Sequence, residues 1–319
     1  MSENKVITTG RICKVQRELF TVMTDQGECT AKLKGSFHKA GLEFPVIGDY
    51  VKLLWNPYGD GIIEQIQERK SVFKRTDLKG HAAPYVKTVK EQVLAANFDY
   101  VFIVASLNQN YNVNRIVRYI STTLQSGAKP IVILTKADLC KNPDSYVEEI
   151  RKVSDKAKVY AVSAKTGIGL DSLKEYMQPG VTIALLGSSG VGKSTLVNTI
   201  AGEDIMKVNH IRENDARGRH TTTHRELIAL SSGVFIIDTP GIRELGMYDA
   251  EEGIQDTFSD ITELFSKCKF NNCRHQTEPG CAIKIALQNK TISTERWNLY
   301  CRLINENSWG VKKTVNEKR

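Results

Sequence analysis

The chain has 319 residues and a formal net charge of +8 at pH 7, which is long enough for two or three domains that each bury a core. The basic balance favours a polyanionic partner, nucleic acid or a ribonucleoprotein, through phosphate contacts and counterion release. Residues 1–10 hold no positively charged start followed by an apolar stretch, and no apolar run approaches a bilayer-spanning length, so a cytoplasmic protein without a membrane partner is expected.

The first stretch, GRICKVQRELFTVMTDQGECTAKL followed by VIGDYVKLLW and GDGIIEQIQ, alternates short apolar runs with Asp-Gln-Gly, Ile-Gly-Asp and Gly-Asp-Gly turns. It predicts a small all-β domain over residues 1–70, a five-stranded barrel. The polar ERKSVFKRTDLKGHAAPYVKTVKEQ then reads as a basic linker opening a second domain over 71–247. From Asp99 the pattern is strand, helix, strand: YVFIVASL, VNRIVRYISTTL, PIVILTKADL, SYVEEIRKVSD, VYAVSAKTG, LDSLKEYM and VTIALLGSSGVGKS, with HRELIALSS and GVFIIDTPG as two further strands. Near-continuous β-branched runs of this kind are strands buried on both faces of a parallel sheet, with helices as crossovers.

Four strings in this domain carry chemistry. Thr135-Lys136-Ala137-Asp138 ends a strand and presents a carboxylate able to accept from both the N1–H and the 2-amino group of guanine, while the Lys136 stem packs over the ring. Adenine lacks that donor pair, a penalty of roughly four to five powers of ten. The first residue of this motif is usually Asn, and Thr135 replaces only part of its bonding. Ser163-Ala164-Lys165 ends the next strand and offers the Ala164 amide to the guanine oxygen.

The third string, Gly187-Ser188-Ser189-Gly190-Val191-Gly192-Lys193-Ser194, with Thr195 after it, lies between the strand VTIALL and a helical stretch. That is the context a phosphate-cradling loop requires: backbone amides turn inward, Lys193 reaches the outer phosphates and Ser194 ligates magnesium. The fourth, DTPG, supplies Asp238 to hold magnesium through water and the Gly241 amide for the γ-phosphate. Between the last two runs a polar stretch that suits a switch segment, in which Thr222 or Thr223 swings onto the metal when the γ-phosphate is present. Together they predict binding of GTP, GDP and Mg2+.

The base-reading string precedes the phosphate loop, the reverse of the usual order. A pocket built along the carboxyl ends of parallel strands depends on which loops reach that edge, so circular permutation restores every motif to its place. The switch strand then runs almost directly into the third domain, over 248–319, so that domain's orientation is expected to report nucleotide state.

This third region combines amphipathic helical stretches with Cys268-x4-Cys273-x-His275-x5-Cys281. Three thiolates and an imidazole form a closed tetrahedral set, which predicts one structural Zn2+. The other four of the seven cysteines, Cys13, Cys29, Cys140 and Cys301, are scattered, as reduced thiols would be.

A barrel in front, a permuted GTPase in the middle and this cysteine loop behind resemble the ribosome small-subunit-dependent GTPase (RsgA) family over nearly the full length. The resemblance implies an oligonucleotide-binding-type barrel, GTP hydrolysis stimulated by the small ribosomal subunit, binding to that subunit and its rRNA, and a role in its late maturation by a monomer. Many GTPases position water with a Gln after the Asp-x-x-Gly, where this chain has Ile242. The likeness points to His220 as a catalytic replacement beside Lys193, with His224 as the rival. Two other readings are an RNA-binding checkpoint factor in which GTP only switches affinity, and a permuted GTPase of large-subunit assembly.

Overall fold

The computed structural model describes residues 6–37, 43–77, 90–108, 111–206, 226–238 and 251–316. Its strands are β1 (Val6–Gln16), β2 (Leu19–Thr24), β3 (Gly27–Leu33), β4 (Tyr50–Trp55), β5 (Gly61–Ile66), β6 (Val72–Asp77), β7 (Lys90–Ala96), β8 (Tyr100–Ser106), β9 (Lys129–Thr135), β10 (Lys158–Ala161), β11 (Thr182–Leu186), β12 (Glu226–Ala229) and β13 (Phe235–Asp238). The helices are α1 (Val113–Gln125), α2 (Pro143–Val153), α3 (Lys193–Ala201), α4 (Glu251–Thr257), α5 (Ser259–Thr262), α6 (Ala282–Gln288) and α7 (Thr294–Asn316). The chain forms two compact units, one of Met1–Val104, Ser126–Ala128 and Leu170–Leu245, the other of Ala105–Gln125, Lys129–Gly169 and Gly246–Arg319.

The first unit begins with the expected five-stranded barrel, in the order β1-β2-β3-β5-β4 with β4 returning to pair with β1. Period-two alternation turns Ile12, Phe20, Val22, Val51, Leu53 and Ile63 inward, and all are fully buried. The stretch read as a basic linker is partly structured. β6 and β7 pair antiparallel, with Phe73 opposite Ala95, and the Phe73 ring stacks on Phe98 at 4.5 Å. Burial of Phe73 and Leu94 drives this pairing, and the charged residues between the apolar ones obscured it in the sequence.

Beyond the barrel the order in this unit is β8-β11-β13-β12, with β8, β11 and β13 parallel and β12 antiparallel to β13. β8 precedes β11 in the chain yet lies beside it, which is the permuted connectivity. All five residues of β11 are buried, as a strand covered on both faces requires. LDSLKEYM forms a 3-10 helix over Leu170–Tyr176 instead of the expected α-helix. With three residues per turn, Leu173 and Tyr176 fall on one edge and are both buried, and the Tyr176 ring meets Tyr100 and Phe102 edge-on at 5.0 and 5.9 Å.

In the second unit β9 and β10 pair parallel. α1 starts where Asn112 Oδ1 accepts the Arg115 N–H at 3.0 Å, an N-terminal cap, and α2 starts with Pro143, whose missing N–H costs nothing in the first turn. The C-terminal helices share one core with α1 and α2, built of Val117, Val153, Ile254, Phe258, Ile261, Cys281, Ile283 and Leu303 among others. Arg296, largely buried, ties these pieces together. It holds Asp260 through two nitrogens at 2.8 and 2.6 Å, donates to the Thr257 carbonyl at 2.9 Å and also to the Val153 carbonyl. Among the described residues no helix is long and apolar enough to cross a membrane.

Candidate functional site

The glycine loop follows β11 and leads into α3, as its sequence context predicts. Gly187 has φ 146°, and a Cβ there would lie 2.3 Å from the Val104 carbonyl oxygen. No other residue passes that point, so the loop turns back immediately after the strand. The Lys193 ammonium reaches across it and donates to the Gly187 and Ser188 carbonyls, both at 2.8 Å. A cation held over a ring of inward-turned backbone is the arrangement a phosphate chain occupies. Ser194 is half-buried at the start of α3, while Ser189 and Thr195 are exposed. In the same unit Asp238 pairs in register with Leu185 of β11, so its carboxylate stands at the carboxyl end of the strand beside the loop.

In the second unit the structure brings together the two strings expected to read the base. Thr135 is buried, its hydroxyl donates to the Ala105 carbonyl at 3.2 Å, and its own carbonyl accepts the Leu107 N–H at 3.0 Å. Lys136 takes a left-handed backbone, φ 61°, which turns the chain so that the Ala137 N–H donates to the Val162 carbonyl at 3.0 Å. The Val162 N–H in turn donates to the Leu134 carbonyl at 2.8 Å. Asp138 is exposed in the short 3-10 turn Ala137–Leu139. Ser163 is buried, and its hydroxyl and carbonyl oxygens accept the Thr166 and Gly167 N–H groups at 3.2 and 2.9 Å, which closes the turn carrying Ala164 and Lys165.

Cys268, Cys273, His275 and Cys281 also converge, with ligand atoms all within 4.8 Å of one another. His275 Nδ1 lies 3.6 Å from the Cys268 sulfur and 3.5 Å from that of Cys281. Partial burial, followed by the Cys281 and Cys268 sulfurs, pushes the Cys273 thiol up to about 11, so without a cation Cys273 resists forming a thiolate. Burial lowers the His275 pKa, favouring the neutral imidazole that ligates metals. The Phe265 ring stacks on His275 at 4.5 Å and Trp297 meets it edge-on at 6.0 Å. These residues can hold a metal ion.

One participant escaped the sequence reading. Glu278 accepts the Arg274, Gln276 and Thr277 N–H groups at 2.8, 2.9 and 3.0 Å, and these bonds, the Arg274 amide foremost, hold its carboxyl down to about 2. It shapes the loop between His275 and Cys281; a carboxylate placed between two ligands was the available signal. Thr222, Thr223, His220, His224 and Gly241 lie outside the described residues.

A sequence profile described as RsgA GTPase matches residues 66–248. The small ribosomal subunit biogenesis GTPase RsgA 2 of Listeria monocytogenes is 40% identical over 316 residues, covering 98% of this chain and 88% of the relative. The small ribosomal subunit biogenesis GTPase RsgA of Methanosarcina acetivorans is 39% identical over 305 residues, covering 95% and 80%. Among solved structures, YjeQ from Thermotoga maritima is similar with a TM-score of 0.72 at 26% identity, covering 95% of this chain and 99% of that one. YloQ, a circularly permuted GTPase, shares the fold with a TM-score of 0.66 at 24% identity, covering 97% of each chain. With its glycine loop, permuted strand order, barrel and cysteine cluster in place, the chain belongs to the RsgA GTPase family and is a GTP-hydrolysing enzyme.

Proposed function

We propose that the protein hydrolyses GTP in the biogenesis of the small ribosomal subunit, the role stated in the names of its relatives, and that the subunit stimulates its turnover. It acts as a cytoplasmic monomer on the subunit and its rRNA. The observation that carries this reading is the closed glycine loop spanned by Lys193, with Asp238 in register beside it. In this reading the amides from Gly187 to Ser194 hold the phosphates, and Lys193 exchanges the Gly187 and Ser188 carbonyls for phosphate oxygens. Ser194, Asp238 and Thr223 (Thr222 is the alternative) serve magnesium, and Gly241 offers its amide to the γ-phosphate. Magnesium supplies charge neutralisation between the β- and γ-phosphates. Asp138 accepts from the guanine edge, and the Ala164 amide faces its oxygen.

With Ile242 in the place of a water-positioning Gln, the task falls to His220. A general base contributes typically 10²–10⁴-fold, and a surface that positions it only on the ribosome leaves the free enzyme slow. Zinc fits the cysteine cluster: at bond lengths of about 2.3 Å to sulfur and 2.0–2.1 Å to nitrogen, a tetrahedral set has sulfur to nitrogen edges of about 3.5 Å, against 3.5 and 3.6 Å here. Its role is structural.

The test is GTP turnover with small subunits, large subunits and neither, in parallel. Small subunits raise turnover by about a hundredfold or more, and the rise is lost in His220→Ala. Equal rates in all three reactions contradict subunit stimulation, and stimulation by large subunits alone assigns the enzyme to the other subunit.

A further inference from the structure

The β12–β13 hairpin is the short piece of sheet between the polar stretch that ends at Arg225 and the DTPG string that begins at Asp238. Its outer strand, β12, is paired with the barrel strand β1. One rung of residues crosses the first unit at this level: Lys14 of β1 faces Glu226, Glu226 faces Asp238, and Asp238 faces Leu185 of β11. Directly opposed residues point to the same face of a sheet, so two carboxylates stand side by side, an arrangement that repels. The barrel supplies the counter-charge, with the Lys14 ammonium 2.7 Å from the Glu226 carboxylate.

Earlier on β1, Arg11 engages the other strand of the hairpin. It is only 4% exposed, and its guanidinium lies between the rings of Tyr50 and Phe235, 4.9 and 4.8 Å from their centroids. Nη2 donates to the Asn97 carbonyl at 2.8 Å and Nε to the Gly48 carbonyl at 3.4 Å. Nη1 has no hydrogen-bond partner among the described residues, so the two rings complete what these two bonds leave open around the cation. At Gly48, with φ 88°, a Cβ would lie 2.1 Å from the Ala96 carbonyl oxygen and 3.3 Å from Ile237 Cδ1. Barrel backbone at Gly48 thus lies close to the side chain of Ile237, the residue before Asp238.

We propose that Arg11 and Lys14 are positioning residues for GTP hydrolysis: acting from the barrel, they fix the β12–β13 hairpin and through it the Asp238 carboxylate. A load placed on the barrel then reaches the magnesium end of the sheet through two side chains and one rung of strand pairing. This rests on the assignment of Asp238 to magnesium.

The test uses the full chain and needs no ribosome. Steady-state GTP hydrolysis and the affinity for fluorescent GDP are measured for Lys14→Glu and Lys14→Arg. Lys14→Glu sets a third carboxylate in the rung and lowers kcat about fivefold, the scale of a lost surface ion pair with a new repulsion, while KM and GDP affinity move less than about twofold. Lys14→Arg keeps a cation beside Glu226 and retains most of kcat, which a charge-independent packing role for Lys14 would not give. Arg11→Lys keeps the charge but loses the planar stack and slows turnover likewise. Asp238→Ala is run beside them: if it leaves turnover intact, the magnesium assignment itself fails. If Asp238→Ala abolishes turnover while Lys14→Glu matches the unaltered protein, or Lys14→Arg is as slow as Lys14→Glu, the positioning proposal is overturned.

Discussion

In the glycine loop the geometry is carried by backbone. Gly187 slips past the Val104 carbonyl where no side chain fits, and the Lys193 ammonium is already held over the turn by two carbonyls. In the cysteine cluster it is carried by side chains: burial, and after it the neighbouring sulfurs, raises the Cys273 thiol to about 11, and a divalent cation would offset that cost by binding the thiolates. In the proposed reading the first site is prepared before its ligand arrives, whereas the second is completed by the ion. The surroundings match this division. The loop grows from a strand buried throughout, while the cluster packs on a helical core that draws Cys281 into its own interior.

Metal removal is the strongest way to break this comparison. Stripping zinc with a chelator removes on the order of 10 kcal/mol from the region around residues 251–305, and the helical circular dichroism signal and melting temperature fall together. Amides of the glycine loop keep their hydrogen-exchange protection, since nothing in its geometry depends on the metal. Lower pH favours release, because protons compete for the thiolates. An unchanged melting curve after complete zinc loss would show that the helical core stands without the ion. Gly187→Ala sharpens the comparison from the other side. The added Cβ collides with the Val104 oxygen, and nucleotide affinity falls by about a hundredfold. Zinc content stays at one ion per chain. Wild-type affinity in this variant would mean that the loop is not preformed.

What was legible in the sequence follows from how local each feature is. Glycine spacing in GSSGVGKS, the cysteine and histidine group from Cys268 to Cys281 and the alternation of the barrel strands are written within short windows, and the structure builds the loop between strand and helix, brings the four side chains together and forms the barrel. The β6–β7 pair was obscured because Lys74 and Arg75 interrupt its apolar residues, and burial of Phe73 and Leu94 outweighs that polar composition. LDSLKEYM has a helical apolar spacing, but its two buried anchors, Leu173 and Tyr176, stand three positions apart, and the tighter helix aligns them. Contacts between distant segments left no trace. The grip of Arg296 on Asp260, Thr257 and Val153 and the Lys14–Glu226–Asp238 rung join residues whose partners are set by sheet order and helix packing.

The assignment of the TKAD corner to guanine is tested most directly by Asp138→Asn, with GTP and xanthosine triphosphate offered in competition. The Asn oxygen still accepts the N1–H, but its amide nitrogen donates where the second carboxylate oxygen accepted, so it repels the 2-amino group of guanine and suits the oxygen that xanthine carries in that place. Preference passes from GTP to the xanthine nucleotide, while the zinc cluster and the fold are unaffected. Undiminished GTP binding by Asp138→Asn would contradict the account, because Asp138 would then not be the residue that reads the base.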